Sequence, residues 1–158
     1  MRSTVKLGAA ILCAVALAAC TNDEDDSQYY LAMGEVVAAV NHAGLGVADG
    51  FAALSSCVTA NQCAAATDMI VRELRLYIPV LEAQIQKLEE LEPPAAAQGF
   101  QSAYLEGLRL RVEGGNLIVR GWESSDEVLL TLGVERFQES QAKLGDIIDE
   151  LRALLEDQ

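Results

Sequence analysis

Chemistry in a small protein needs side chains that bind metal, move protons or attack electrophiles, and this chain offers few in useful spacings. His42 is the only histidine. A di-iron bundle requires Glu-x-x-His motifs from two helices, and Ala39, not Glu, stands three before His42. Covalent haem requires Cys-x-x-Cys-His, which is absent. Met33 and His42 share one helical segment and face different ways, so they do not make a haem pair. At heptad spacing His42 falls in line with Glu35 and Asp49, which marks a solvent-facing histidine. Ser55, Ser56, Ser124 and Ser125 sit at segment ends, where serine caps backbone amides, and none lies in a Gly-x-Ser-x-Gly turn. Gln141 falls on an apolar face, where a polar residue fixes helix register. Arg111 is placed to pack its stem inward while its head reaches a carboxylate or water, which also allows a buried anion site. The sequence therefore assigns no catalytic residue, no metal ligand and no cofactor.

Export is the clearest signal. Arg2 and Lys6 precede an uncharged, mostly aliphatic run from Leu7 to Val15, followed by Leu17-Ala18-Ala19-Cys20. A positive start, a short apolar run and small residues at a cleavage point describe a secretory signal too short to span a bilayer comfortably. The Leu-Ala-Ala-Cys ending resembles the lipobox of bacterial lipoproteins. That resemblance implies removal of residues 1–19, lipidation of Cys20 and anchoring by several acyl chains. Each buried methylene adds about 0.8 kcal/mol, so more than one chain is needed for stable attachment. The organisation expected is a signal peptide at 1–19, a lipidated cysteine and acidic tether at 20–27, and a folded domain at 28–158. Thr21 rather than Asp follows the cysteine, which in a diderm cell resembles an outer-membrane lipoprotein facing the periplasm. In a monoderm cell the anchor would sit in the outer leaflet of the plasma membrane.

The formal net charge is −13. Every acidic residue follows Cys20, and Arg2 and Lys6 leave with the signal, so the mature chain is more acidic still. Such a surface repels nucleic acid and anionic headgroups, which excludes both as partners. Cys57 and Cys63 remain after export into a compartment where disulfides persist. Metal or redox use would need further ligands or a Cys-x-x-Cys spacing, so a structural disulfide is expected.

Three breaks divide the mature chain: Ser55 to Cys63, Glu92-Pro93-Pro94, and Ser124 to Glu127, where Ser124 and Glu127 have capping-box spacing. The pieces between them run roughly 30 residues, or about 45 Å as helix. In the first, Tyr30, Met33, Val37, Val40, Gly44, Val47, Phe51 and Leu54 alternate steps of three and four. In the last, Leu130, Val134, Phe137, Gln141, Leu144, Ile148, Leu151 and Leu155 do the same. The second carries Ile70, Leu74, Tyr77, Leu81, Ile85 and Leu88, with Pro79 expected to kink it. The third alternates with period two over Leu108 to Glu113 and then reads Gly114-Gly115-Asn116, a hairpin signal. A lone hairpin has no sheet to join, and Phe100, Tyr104, Leu108, Arg111, Gly115, Ile118 and Trp122 make a helical face, so a helix with a kink or fray near the glycine pair is expected. The fold predicted is all-α, an up-down-up-down four-helix bundle. The Leu91-Glu92-Pro93-Pro94 turn followed by Phe100 and Tyr104, with the Cys57/Cys63 loop before it, resembles a group of small exported helical lipoproteins of uncharacterised function.

One face of the first segment is odd. Opposite its seam, Leu31, Ala38, Leu45 and Ala52 recur every seven residues, and only Glu35 and Asp49 carry full charge between Leu31 and Leu54. A helix apolar nearly all round is normally covered. The function expected is a non-enzymatic cell-envelope lipoprotein, a structural or interaction module using that face for a protein partner or self-association. The alternative is a carrier of a small apolar ligand inside the bundle, where Gly44, Gly107 and Gly115 leave room. Replacing Cys20 with Ser should abolish lipidation and leave the precursor uncleaved; metabolic lipid labelling checks this, and unchanged labelling would end the anchor reading.

Overall fold

The computed structural model describes residues 24–156, with side chains over 27–147. Cys20, the signal segment and the tether to residue 23 lie outside the described residues. Five α-helices follow: α1 (Glu24–Ala43), α2 (Leu45–Ser56), α3 (Ala60–Glu89), α4 (Gln98–Ser124) and α5 (Glu127–Glu156), with a 3-10 turn at Ala95–Ala97 before α4. The described residues contain no strand. The first helix starts at Glu24, inside the stretch expected to be tether, because acidic residue types suit a helix's first turn.

α1 and α2 are nearly one helix. Gly44 has φ −80° and ψ −7°, yet its N–H still donates to the Val40 carbonyl at 3.1 Å and its own carbonyl accepts from Ala48 at 3.1 Å. The missing side chain matters here: a Cβ on Gly44 would stand 3.2 Å from both Cζ and the hydroxyl of Tyr77. The loop to α3 is closed by the disulfide between Cys57 and Cys63, with Cα atoms 5.2 Å apart. Thr59 then opens α3 with a full capping box: Gln62 N–H donates to Thr59 Oγ1 at 3.3 Å and Thr59 N–H donates to Gln62 Oε1 at 3.2 Å. Pro79 lies on the exposed face of α3 and the helix runs on through it.

The turn into α4 is tied by Gln101, which is buried and donates from Nε2 to the carbonyls of Leu88 at 2.7 Å and Leu91 at 3.2 Å. These bonds tie α4 to the last turn of α3 and to the chain just beyond it. The hairpin signal fails. α4 is unbroken through Gly114-Gly115, both glycines are buried, and neither frays the helix. The expected capping box at Ser124 and Glu127 also fails. Ser124 is the last residue of α4 and donates back to the Arg120 carbonyl at 2.8 Å. Ser125 turns the chain with φ 53°. Asp126 caps α5, its Oδ1 accepting from Val128 at 2.9 Å and Leu129 at 3.1 Å, two of the first-turn amides that have no partner inside the helix.

Each segment packs against the next in the chain. Gly50 meets Ile70, Gly44 meets Tyr77 and Lys87 pairs with Glu35 at 2.8 Å, joining α1 and α2 to α3. Gly115 meets Ile78, and Arg109 pairs with Glu89 at 2.6 Å, joining α3 to α4. The closest packing is between α4 and α5. A Cβ on Gly114 would lie 2.7 Å from Phe137 N and 2.8 Å from Gly133 O; on Gly133, 2.7 Å from Ile118 N; on Gly121, 2.7 Å from Leu130 N. These are backbone atoms, so the two helices touch main chain to main chain. Among the described residues no Cα of α1 or α2 approaches within 8 Å of a Cα in α5.

The seams are rotated from their expected positions. On α1 and α2 the buried residues are Tyr29, Met33, Val36, Val40, Val47 and Gly50, while Tyr30, Val37 and Phe51 are only half-buried. The small side of the helix, through Gly50, turns toward α3. On α5 Gln141 is exposed, and the buried polar residue is Ser140, whose hydroxyl donates to the Gly107 carbonyl at 2.8 Å. Ile148, Leu151 and Leu155 lie outside the residues whose side chains are described.

Gly114→Ala should destabilise the fold by about 1–3 kcal/mol, because the added carbon meets backbone that has no room to give. Gly145→Ala is the control. It lies in α5 with nothing within 4 Å of a Cβ, and should stabilise by up to about 1 kcal/mol. Chemical denaturation of both variants checks the sign difference.

Candidate functional site

The side where α5 fails to approach α1 and α2 holds a cleft of about 370 Å³. Its walls are built from every segment. Val37, Val40, Asn41 and Gly44 come from α1 and the joint after it, and Leu45, Val47, Ala48 and Phe51 from α2. Tyr77 comes from α3, and Phe100, Tyr104 and Arg111 from α4. Phe137, Gln141, Leu144 and Gly145 come from α5. One end is closed by Phe51 against Phe137, ring centroids 5.6 Å apart, and Phe100 stacks on Tyr104 at 5.9 Å. Leu45, Ala48 and Gln141 are exposed and form the mouth. The rotation of the first seam has its explanation here: Val37, Gly44 and Phe51, one heptad line, line the cleft, with Gly44 beside Tyr77 and Phe51 against Phe137.

Arg111 is the only charged residue in the lining. Its Nε donates to Ser140 Oγ at 3.2 Å and its Nη1 to Tyr77 OH at 3.2 Å. Its guanidinium carbon lies 5.5 Å from the centroid of Phe137, a cation–π contact. Of the partners expected for the head, no carboxylate pairs with it among the described residues; its protein contacts are two hydroxyls and a ring. Ser140 is oriented for this role, since its proton goes to Gly107 and its lone pairs are left to accept from Arg111. Gly44 serves Tyr77 in the same way, by letting the phenol end come close to the joint between α1 and α2.

Burial pushes the Tyr104 hydroxyl well above its ordinary value, against the pull of the nearby Arg111 charge. It therefore stays a protonated donor. Tyr29, near the start of α1 and outside the cleft, is pushed up to about 12 by burial, with Tyr30 beside it adding to the shift. Its hydroxyl is buried without a hydrogen-bond partner among the described residues.

The remaining residues singled out by sequence sort as follows. His42 is exposed. Among the described residues there is no group of three or more metal-ligating side chains. Leu31 and Leu45 are 53% and 48% exposed, Ala52 is exposed and Ala38 half-buried. The stripe is thus largely outward, but Leu45 also lines the cleft mouth. Sequence reasoning reached Arg111 and missed Tyr77, Tyr104 and Ser140 as a polar set. Tyr77, Tyr104 and Ser140 lie on three different helices, and spacing along the chain announces nothing about which of them will meet. Comparison with known protein families, with curated proteins and with solved structures finds no match.

Alkaline pH should unfold the protein in a way that tracks these tyrosines. Their folded values lie above the ordinary value near 10, so the stability they add is complete below pH 10 and is lost as pH rises through the folded values, beginning with the window from 10 to about 12. Denaturation melts taken with phenolate absorbance check this, and Tyr104→Phe should flatten the decline. A stability flat across that window would contradict it.

Proposed function

We propose that this protein is a non-enzymatic, exported module held to the cell envelope by a lipid on Cys20, and that it takes a small apolar guest into the cleft between its first and last helical segments. The domain is read as an up-down-up-down four-helix bundle with its fourth side held open. The observation that carries the reading is the cleft itself. Its volume lies at the lower end of the roughly 300–1,000 Å³ of small-molecule sites, and its walls are mainly aliphatic and aromatic with a few convergent polar groups. A bundle whose core was filled would favour an interaction module over a carrier; this one leaves room.

A second reading keeps the interaction module. Ser27–Ser56 is long and apolar enough to cross a membrane by length and composition, with mean hydropathy 1.3, and only 28% of that window is buried in the fold. It contributes Val36, Val40 and Val47 to the core, which supports a packed helix with an uncovered face and not a span. The exposed Leu31 is the residue that best isolates this reading, because it does not line the cleft.

The two readings separate in one paired experiment. The neutral fluorophore N-phenylnaphthylamine should bind saturably, at one molecule per chain, and Gly145→Phe should abolish binding by filling the cleft. Leu31→Glu should leave that binding intact and weaken concentration-dependent self-association in analytical ultracentrifugation. No saturable binding overturns the carrier. Self-association unchanged by Leu31→Glu removes the α1 face as its contact surface.

A further inference from the structure

We propose that the cleft is selective for a small amphipathic monoanion, a carboxylate head on an aliphatic body, with Arg111 holding the head. This rests on the reading above that the cleft takes an apolar guest, and adds the chemistry of the guest's polar end. Among the described residues every cation but one is paired or solvated. Arg72, Arg75, Lys87, Arg109, Arg136 and Lys143 each pair with a carboxylate on the protein surface. Arg120 is exposed, where water solvates its charge. Arg111 is half-buried, faces the cleft, and has no carboxylate within salt-bridge distance among the described residues. In a chain of net charge −13, Arg111 is the one charged group among the described residues that line the cleft, and no Asp or Glu among them does. The protein partners of Arg111 are neutral hydroxyls and a ring, so no protein carboxylate neutralises the charge it turns to the cleft.

Nε and Nη1 of Arg111 are spent on Ser140 and Tyr77. Nη2 has no hydrogen-bond partner among the described residues, and neither the Tyr77 nor the Tyr104 hydroxyl proton has an acceptor there. Tyr104 remains a neutral donor because burial disfavours its phenolate. Three donors with no competing acceptor suit a carboxylate, which accepts through two oxygens and binds guanidinium strongly. Val40, Val47, Phe51, Phe100, Phe137 and Leu144 line the same cleft, so the site offers apolar wall for a tail as well as donors for a head. A bare anion would leave those walls against water.

The test is calorimetric, on the full chain in uncharged phosphatidylcholine nanodiscs with empty discs as baseline. The probes are octanoate, octan-1-ol and acetate. Octanoate should bind about tenfold tighter than octanol, the scale of one charge-assisted contact, and acetate should not bind measurably. Arg111→Met should bring octanoate down to the affinity of octanol and leave octanol unchanged. The wild-type comparison carries the test even if that variant proves unfolded in its thermal melt. Octanol binding as tightly as octanoate overturns the anion preference while the apolar cleft stands. A preference for octanoate that survives in a folded Arg111→Met assigns the head to another group and overturns this role for Arg111. Acetate binding as tightly as octanoate makes it a small-anion site and overturns the amphiphile. If neither octanoate nor octanol binds, the carrier reading itself falls.

Discussion

The glycine contact between α4 and α5 governs the rest of this molecule. Gly107, Gly114 and Gly121 recur every seven residues along α4, and Gly133 answers from α5. At Gly114, Gly121 and Gly133 a Cβ would come within 2.7 Å of backbone nitrogen on the other helix. Side chains ordinarily hold packed helices about 8–10 Å apart; removing them lets the main chains meet. The approach has a conformational cost, since glycine in a helix interior is less favourable than alanine by about 1 kcal/mol. The return is a closely docked helical pair in which Ser140 reaches the Gly107 carbonyl and Arg136 pairs with Glu139 and, at 3.6 Å, with Glu113 across the interface.

That docking decides where α5 is not. A helix drawn so close to α4 turns its apolar stripe mainly toward that partner, and the ion pairs follow the same pattern. They tie α1 to α3, α3 to α4 and α4 to α5, and among the described residues none ties α1 or α2 to α5. Exposed pairs contribute little each, so they mark proximity more than they create it. What remains across the open side is Phe51 against Phe137. Arg111 is retained at the floor of that opening, its stem among apolar neighbours and its head on Ser140, Tyr77 and the face of Phe137. A closed fourth side would have left this cation without space or solvent, and the opening and the arginine are therefore consistent with each other.

The helices on either side of Cys57–Cys63 and the last one were readable from periodicity, the third from the lack of a sheet for a hairpin to join, and the breaks from turn residues, because apolar spacing and turn chemistry act locally. The Cys57–Cys63 bridge was readable from two cysteines six positions apart with no further ligand and no Cys-x-x-Cys spacing. The errors came from interactions between segments. Gly114-Gly115 was expected to kink or fray its helix; its use as an interhelical contact becomes visible only when Gly107 and Gly121 are read with it at heptad spacing. Gln141 looked like the buried polar residue of α5, but the helix is rotated so that Ser140 is inside and Gln141 at the cleft mouth. Gln101 showed no signal at all, because its task is to satisfy carbonyls at the end of a different helix. The cleft could not be read from sequence for the same reason. A cavity is the failure of two segments to meet, and periodicity records only that each has an apolar face.

The apolar first segment is better explained by three faces than by two. Met33, Val36, Val40, Val47 and Gly50 are buried, the last against Ile70 of α3. Val37, Asn41, Ala48 and Phe51 line the cleft, accounting for apolar residues that an ordinary bundle would bury on α5. Leu31 and Ala52 are left on the outside, with Leu45 shared between outside and cleft mouth. Most of the uncharged character of this helix thus follows from facing an opening and not a neighbour, and the truly unexplained outward surface shrinks to a few side chains. Isolated apolar residues on a surface are ordinary. The weight of the functional argument accordingly moves from the stripe to the cleft, where the apolar walls, the donors of Tyr77 and Tyr104 and the unpaired charge of Arg111 converge on one space.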